Sequence, residues 1–201
     1  MVWNETLKRE IPAGWEVKPL SFFASYGTES IKAEKAYNYI STDNMLPEKQ
    51  GISDEILHPA SGNILVFKKN NILISNIRPY FKKIWFANHD GTCSTDVLCI
   101  QSNSNDYDFY VYRTLWRDDF FDYIMQGAKG SKMPRGDKSH IMNYPICFHK
   151  HLFNSLMDVY NSKCECIQNL LYKNSLEISR LTAVRDRLLP LLMNGQVEVG
   201  G

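Results

Sequence analysis

Short apolar runs alternate with turn residues over the first three quarters of the chain, a pattern typical of β-strands. Glycine, proline, asparagine and aspartate separate the runs, because these residues favour tight turns. The Lys- and Asn-rich stretch 68–71 predicts a hairpin tip of this kind. The predicted strands are residues 37–41, 63–67, 72–75, 83–87 and 96–100.

One helix and one long loop complete this part of the chain. Apolar residues recur at spacings of three and four over residues 107–125, which predicts an amphipathic helix. Residues 126–143 are rich in Gly, Lys and Ser and carry Pro134 and Arg135 in their middle. This composition predicts a loop.

From residue 152 onward the pattern changes to a heptad repeat. Steps of four and three continue for about five repeats without Gly or Pro, which predicts a coiled-coil helix. Pro190 and Gly195 predict that the helix stops near Leu189. The residues predicted to form its contact face, the heptad seam, are Tyr160, Ile167, Leu171, Asn174, Ile178, Leu181 and Leu188.

The length of this helix predicts that it pairs with a second helix. About 38 residues rise roughly 57 Å, which is too long for packing against a domain of about 150 residues. The alternative is a helix that packs on its own domain at one end and frays at the other. Asn174 is polar within the seam, and such residues commonly fix register and partner number.

Composition narrows the class of protein. The 201 residues are 44% hydrophobic and 22% charged, as in a globular chain with one domain or one domain plus an appendage. No apolar run approaches a membrane span, and the N-terminus lacks a secretory pattern, so we expect a cytoplasmic protein. The five cysteines are odd in number, which favours reduced thiols. A net charge of +1 means that any nucleic-acid-binding surface must be local.

Two segments carry the residue types that bind DNA, which are cations for phosphates and short polar side chains for base edges. The first, 129–138, has an open, Gly-bearing backbone, and the second, 76–83, contains a turn at Pro79. The alternative for each charge is a solvated loop residue, and Arg78 could instead bond carbonyls inside the domain. The candidate DNA-binding residues are Asn76, Arg78, Lys82, Lys83, Lys129, Ser131, Lys132, Arg135 and Lys138.

We predict no catalytic residue, metal ligand or cofactor in this chain. Residues 76–80 superficially resemble the Asn-Pro-Pro-Tyr box of adenine methyltransferases, but Ile77 and Arg78 replace its prolines. Residues 147–151 alternate Cys, His and His without a fourth ligand, so we expect a strand there. Asp96 has no second carboxylate beside it and is predicted to be a turn residue or a hydrogen-bond anchor.

Several blocks in order resemble the specificity subunits of Type I restriction-modification systems. They cover nearly the whole chain and end in the long heptad helix. The blocks are Ile11–Val17, Tyr39–Met45, Ile74–Pro79, Gly91–Asp96, Gly127–Pro145 and Leu181–Pro190 followed by Asn194-Gly195.

The resemblance implies an α+β fold: a target recognition domain at residues 1–148, with a small β-sheet and packed helices, then a coiled-coil spacer helix at 149–201. Family members usually carry two of each, so this chain corresponds to a half-subunit or a fragment. The resemblance further implies head-to-tail pairing with antiparallel helices, in a homodimer or with a second half-subunit. A two-fold pair should read a palindromic, bipartite site whose separation is at most about 17 base pairs.

The partners implied are double-stranded DNA, a methyltransferase subunit and a restriction subunit with nuclease and translocase activity. S-adenosylmethionine, ATP and Mg²⁺ would belong to those subunits. The alternative is a non-catalytic coiled-coil adaptor with a remnant recognition domain. An adaptor would lack the steep salt dependence of duplex binding.

Overall fold

A computed structural model describes residues 1–130, 132–149 and 153–196, with side chains of the last range described from residue 156. The chain divides into two compact units, one ending at Asn161 and one beginning at Ser162. The domain boundary predicted after residue 148 lies between the last strand and the long helix, and the first unit continues into that helix.

The strands and most of the helices lie in the first unit. The strands are β1 (Val2–Asn4), β2 (Arg9–Ile11), β3 (Glu16–Pro19), β4 (Ala24–Tyr26), β5 (Ser30–Lys32), β6 (Tyr39–Ile40), β7 (Asn63–Phe67), β8 (Ile72–Ser75), β9 (Ile84–Phe86), β10 (Gly91–Cys93), β11 (Val97–Ser102) and β12 (Pro145–Phe148). The α-helices are α1 (Leu20–Phe23), α2 (Asp108–Leu115), α3 (Asp118–Gly127), α4 (Lys138–Met142) and α5 (Phe153–Met193). Short 3₁₀ turns occupy Ala33–Lys35, Pro79–Phe81 and Asn105–Tyr107.

Two four-stranded sheets form the centre of this unit. The central sheet has the order β4-β11-β8-β9 and is antiparallel throughout. The second sheet has the order β5-β7-β10-β6, in which β10 and β6 run parallel. Two further antiparallel pairs, β1-β2 and β3-β12, accompany them.

The central sheet is buried on both faces. Because successive side chains of a strand point to opposite faces, alternate residues enter two different cores. One face packs against residues of α2, α3 and α4 through Ile72, Ile74, Ile84, Phe86, Leu98 and Ile100. The opposite face packs against Phe67 and Cys93 of the second sheet through Leu73, Trp85, Val97 and Cys99.

The strand predictions are confirmed in the middle of the unit. Strands β7 and β8 have the predicted bounds, and β6, β9 and β11 overlap theirs. Strand β12 overlaps the strand predicted at residues 147–151, of which 150 and 151 lie outside the described residues. Strands β1–β5 and β10 were not predicted, because three or four residues are too few for an alternating pattern to stand out. The prediction of a hairpin tip at 68–71 is wrong, because β7 and β8 belong to different sheets.

Two predictions for residues 107–143 also need correction. The single helix is two, since Arg117 takes an extended conformation between α2 and α3. Asp118 and Asp119 then occupy the first turn of α3, where acidic residues are favourable. The predicted loop contains the short helix α4, which begins where Asp137 accepts bonds from the Ser139 and His140 backbone.

The long helix α5 runs past its predicted end at Leu189, through Pro190 to Met193. A proline removes its own N–H donor and crowds the carbonyl four residues earlier, but here the helix continues for about one more turn beyond it. Gly195 then ends it in the left-handed conformation, as predicted. Gln196 N–H donates to Leu191 O and Gly195 N–H to Leu192 O, which is a Schellman cap. Among the described residues, no helix is both long and apolar enough to cross a bilayer.

Removing the Ile74 side chain tests the two-faced core. Ile74 is fully buried in the central sheet, so we expect Ile74→Ala to lower the free energy of unfolding by about 2–5 kcal/mol. Urea denaturation followed by circular dichroism measures this loss. The control is Ile56→Ala, because Ile56 is 83% exposed and should matter little. Equal losses for both variants would contradict the assignment of the core.

Candidate nucleic-acid interface

The two basic segments, distant in sequence, are joined by main-chain hydrogen bonds. Ile77 and Arg135 form an antiparallel bridge. Arg78 N–H donates to Pro134 O at 2.9 Å, and Gly136 N–H donates to Asn76 O at 3.3 Å. These bonds bring the two predicted segments together. We call segments 76–83 and 129–138 the basic surface. Ser131 is left out of it because it lies outside the described residues.

A second bridge closes the loop itself. Lys129 and Arg135 pair through two bonds, from Lys129 N–H to Arg135 O at 3.0 Å and back at 2.9 Å. Arg135 also forms an ion pair with Asp96 at 3.1 Å. The carbonyl of Asp96 accepts from Asn76 N–H, so Asp96 anchors both segments, in agreement with its predicted role.

Close backbone approach explains two glycines of the basic surface and its border. A Cβ atom on Gly136 would lie 2.9 Å from both Asn76 Oδ1 and Ile124 Cγ2. A Cβ atom on Gly127 would lie 2.3 Å from the ring of His140, which stacks on Tyr123. Larger residues at either position would therefore displace the loop from the helices that flank it.

The turn around Pro79 is conformationally strained. Arg78 and Lys82 have φ values of 50° and 52°, a region that non-glycine residues seldom adopt. Such strain is concentrated at functional sites. The Arg78 Nε atom is buried without a hydrogen-bond partner among the described residues, and no bond from its side chain to a carbonyl is seen there.

Arg78 lines a shallow cavity of about 180 Å³ on the basic surface. Thr42, Ser75, Lys83 and Met133 contribute to the same cavity. Buried donors are normally hydrogen-bonded, so an Nε atom without a partner among the described residues is unusual.

Several predicted cations already have intramolecular partners. Lys83 Nζ donates to Thr42 O at 2.6 Å. Lys82 and Lys49 both pair with Asp118, at 2.9 Å and 2.7 Å, and these bonds lower the pKa of Asp118 to about 2. The Asp118 bond raises the pKa of Lys82. These lysines hold loops in place in addition to any contact with a ligand.

The remaining predicted DNA-binding residues differ in how free their side chains are to contact a ligand. Lys132 is exposed and forms no ion pair with any residue that the structure describes. Lys138 lies 5.7 Å from the ring of Tyr26, whose hydroxyl donates to Lys138 O. Asn76 Oδ1 is buried without a partner among the described residues.

Sequence reasoning missed the exposed apolar side chains of the basic surface. Tyr80, Phe81 and Met133 are large and exposed, and the Tyr80 and Phe81 rings lie 4.7 Å apart. Lys83 Nζ lies 6.0 Å from the Phe81 ring. Aromatic residues placed between cations are typical of surfaces that bind single-stranded nucleic acid, so the sequence did contain a signal of this kind.

The heptad seam lies mostly in the second unit. Ile178, at 66% exposed, and its seam neighbours Ile167, Leu171, Leu181 and Leu188 are exposed, and so is Asn174. Tyr160 differs, because it packs against the core of the first unit. Apolar residues in this number rarely remain exposed in a stable helix without a partner.

Comparison with known proteins agrees with this architecture. No protein-family model matches the chain. The Type I restriction enzyme EcoDI specificity subunit of Escherichia coli is 26% identical over 80 residues, which cover 40% of this chain and 18% of that protein.

Two solved structures match over nearly the whole chain. The HsdS subunit of Thermoanaerobacter tengcongensis matches with a TM-score of 0.54 and 18% identity, over 92% of this chain and 49% of the other. A chain from a structure of type I R-M complex assembly and conformational transition matches with a TM-score of 0.56 and 18% identity, over 94% and 50%.

The chain has the fold of the Type I specificity subunits. The resemblance seen in the sequence is thereby confirmed, and so is the α+β class with a long C-terminal helix. The chain spans about half the length of the solved subunits that it matches.

The pH dependence of stability tests the anchoring of the loop. A hydrogen bond from Lys129, helped by the His140 and Ser139 backbone, lowers the pKa of Asp137 from 3.8 to about 2. A carboxylate with a lowered pKa stabilises the fold above its unfolded pKa, and this stabilisation is lost as the pH falls from about 4 to about 2. We therefore expect Asp137→Asn to reduce the acid sensitivity of stability over that window.

Urea denaturation between pH 5 and pH 2 measures this difference, with the exposed Glu5→Gln as the control. A decline in Asp137→Asn as steep as in the original protein would remove Asp137 as an anchor.

Proposed function

We propose that this chain is a DNA-sequence-recognition subunit of a Type I restriction-modification system and performs no catalysis of its own. The observation that carries the proposal is the joining of residues 76–78 to residues 134–136, which gathers both basic segments on one surface in a specificity-subunit fold.

The basic surface has the chemistry for duplex binding. Lys132 is free to meet phosphates, and Arg135 is more than half exposed despite its pair with Asp96. The Arg78 cavity offers an unpartnered donor beside exposed aromatic rings. Phosphate contacts would position the chain, while side chains reaching into a groove would read the bases.

The exposed seam supports pairing of two helices. A homodimer, or assembly with a second half-subunit, would bury the apolar face of α5 and place two recognition domains apart on a bipartite site. We propose that this assembly binds a methyltransferase subunit and a restriction subunit with nuclease and translocase activity. S-adenosylmethionine, ATP and Mg²⁺ belong to those subunits in this proposal, and this chain requires none of them to bind DNA.

Duplex binding tests the basic surface directly. A preferred duplex is first selected from a randomised library, and binding is then measured by fluorescence anisotropy at rising salt. We expect the triple change of Lys129, Lys132 and Arg135 to Ala to weaken binding at least about tenfold. The salt slope should also fall by about 0.9 for each phosphate that the variant no longer neutralises.

The matched control changes Lys8, Lys32 and Lys35 to Ala, since these exposed lysines lie in other segments of the same unit. Thermal melts verify that both triple variants are folded. Unchanged binding by the first variant would remove the loop from the interface, and salt-independent binding by the original protein would favour an adaptor.

The oligomeric state tests the seam. We expect Ile178→Asp to convert a dimer into a monomer, because it places a charge in the centre of the apolar face. Multi-angle light scattering measures the mass. The control is Ala183→Asp, which introduces the same residue on the opposite side of the helix. A dimer mass for Ile178→Asp would refute the paired-helix proposal.

A further inference from the structure

A second group of arginine side chains lies in the first unit, outside the basic surface. A cavity of about 330 Å³ is lined by Arg9 of β2, Arg113 and Thr114 of α2, Arg117 between the helices, and Tyr144 before β12. Asp119 is the acidic residue of its lining. We call this feature the arginine cavity.

The three guanidinium groups are not equivalent. Arg117 is neutralised by Asp119, to which it donates bonds of 2.7, 3.0 and 3.2 Å. Arg9 and Arg113 form no ion pair within the described part of the chain, although Arg9 is close enough to Asp119 to help lower its pKa. The lining therefore has three arginines against one carboxylate, and clefts with an excess of positive charge attract anions.

The cavity is built to hold its side chains in place. The Arg113 guanidinium lies 5.5 Å from the Trp116 ring and 5.8 Å from the Tyr112 ring, which restricts its plane. The turn before Arg9 is fixed by a bond from Leu7 N–H to Asn4 Oδ1 at 2.9 Å. Preorganised donors of this kind lose little entropy on binding.

Tyr144 supplies a neutral donor to the same cavity. Its side chain is only 7% exposed, and its ring is held by edge contacts to Phe120 and Tyr123 at 5.0 and 5.2 Å. Its hydroxyl has no hydrogen-bond partner among the described residues. Burial raises the pKa of Tyr144 to about 12, so the hydroxyl keeps its proton at neutral pH.

We propose that the arginine cavity binds the phosphate group of a small phosphorylated ligand. Arg9 and Arg113 would bind the phosphate oxygens through their planar guanidinium groups, and the hydroxyls of Thr114 and Tyr144 would donate to the remaining oxygens. A volume of about 330 Å³ is at the lower end of small-molecule sites. A nucleotide or a free polyphosphate supplies this chemistry equally.

Isothermal titration of the full chain with pyrophosphate and, separately, with ATP tests this site. We expect saturable one-to-one binding, about tenfold or more weaker in the double variant Arg9→Ala/Arg113→Ala and about threefold weaker in Tyr144→Phe. The control Lys32→Ala/Lys35→Ala removes the same charge elsewhere and should bind normally. Tighter binding of ATP than of pyrophosphate identifies a nucleotide as the source, and equal binding identifies the phosphate group alone.

Three results would overturn the proposal. The first two are no saturable binding by the folded protein and equal binding by the Arg9→Ala/Arg113→Ala variant. A third is loss of duplex binding in that variant together with displacement of pyrophosphate by duplex DNA, which would make the cavity part of a DNA-binding surface. The proposal for the basic surface is tested with variants of Lys129, Lys132 and Arg135 and with duplex DNA. The two proposals can therefore fail independently of each other.

Discussion

The candidate interface depends on a short stretch of main-chain pairing between residues 76–78 and 134–136. More than fifty residues separate these segments in the sequence, and these bonds join their backbones directly. Backbone bonds do not depend on side-chain identity, whereas the closing ion pair of Arg135 with Asp96 does. The position of the basic surface is therefore fixed by the fold, and its charge is set separately by the residues placed on it.

Much of this fold follows from sequence patterns. Strands β7 and β8 were predicted with the correct bounds because runs of three or four consecutive apolar residues, bounded by turns, leave few alternatives. The heptad helix was equally clear. The small strands could not be predicted, because their stability comes from partners such as β12 for β3, and not from a local pattern.

The sequence could predict which residues belong to the candidate site, but not how their side chains are arranged. The sequence identified the cations of both segments, yet nothing in it indicated that Lys82 and Lys83 would be used to hold Asp118 and Thr42. Asn76 is similar, because its amide oxygen is buried by contacts that form only in three dimensions. Long-range packing decides which polar side chains remain available, and one sequence carries no direct record of it.

The double burial of the central sheet has a consequence for how the interface tolerates change. Helices α3 and α4, which flank the basic loop, rest on one core through Ile124 and Ile141, whereas the turn at Thr42 lies between Ile40 and Met45 of the other core. The two sides of the Arg78 cavity thus pack against different hydrophobic cores, which lie on opposite faces of the central sheet. A packing change in one core can therefore shift one side of the Arg78 cavity without the other. Substitutions in either core give the fold a means of altering the width of this cavity while the central sheet stays unchanged.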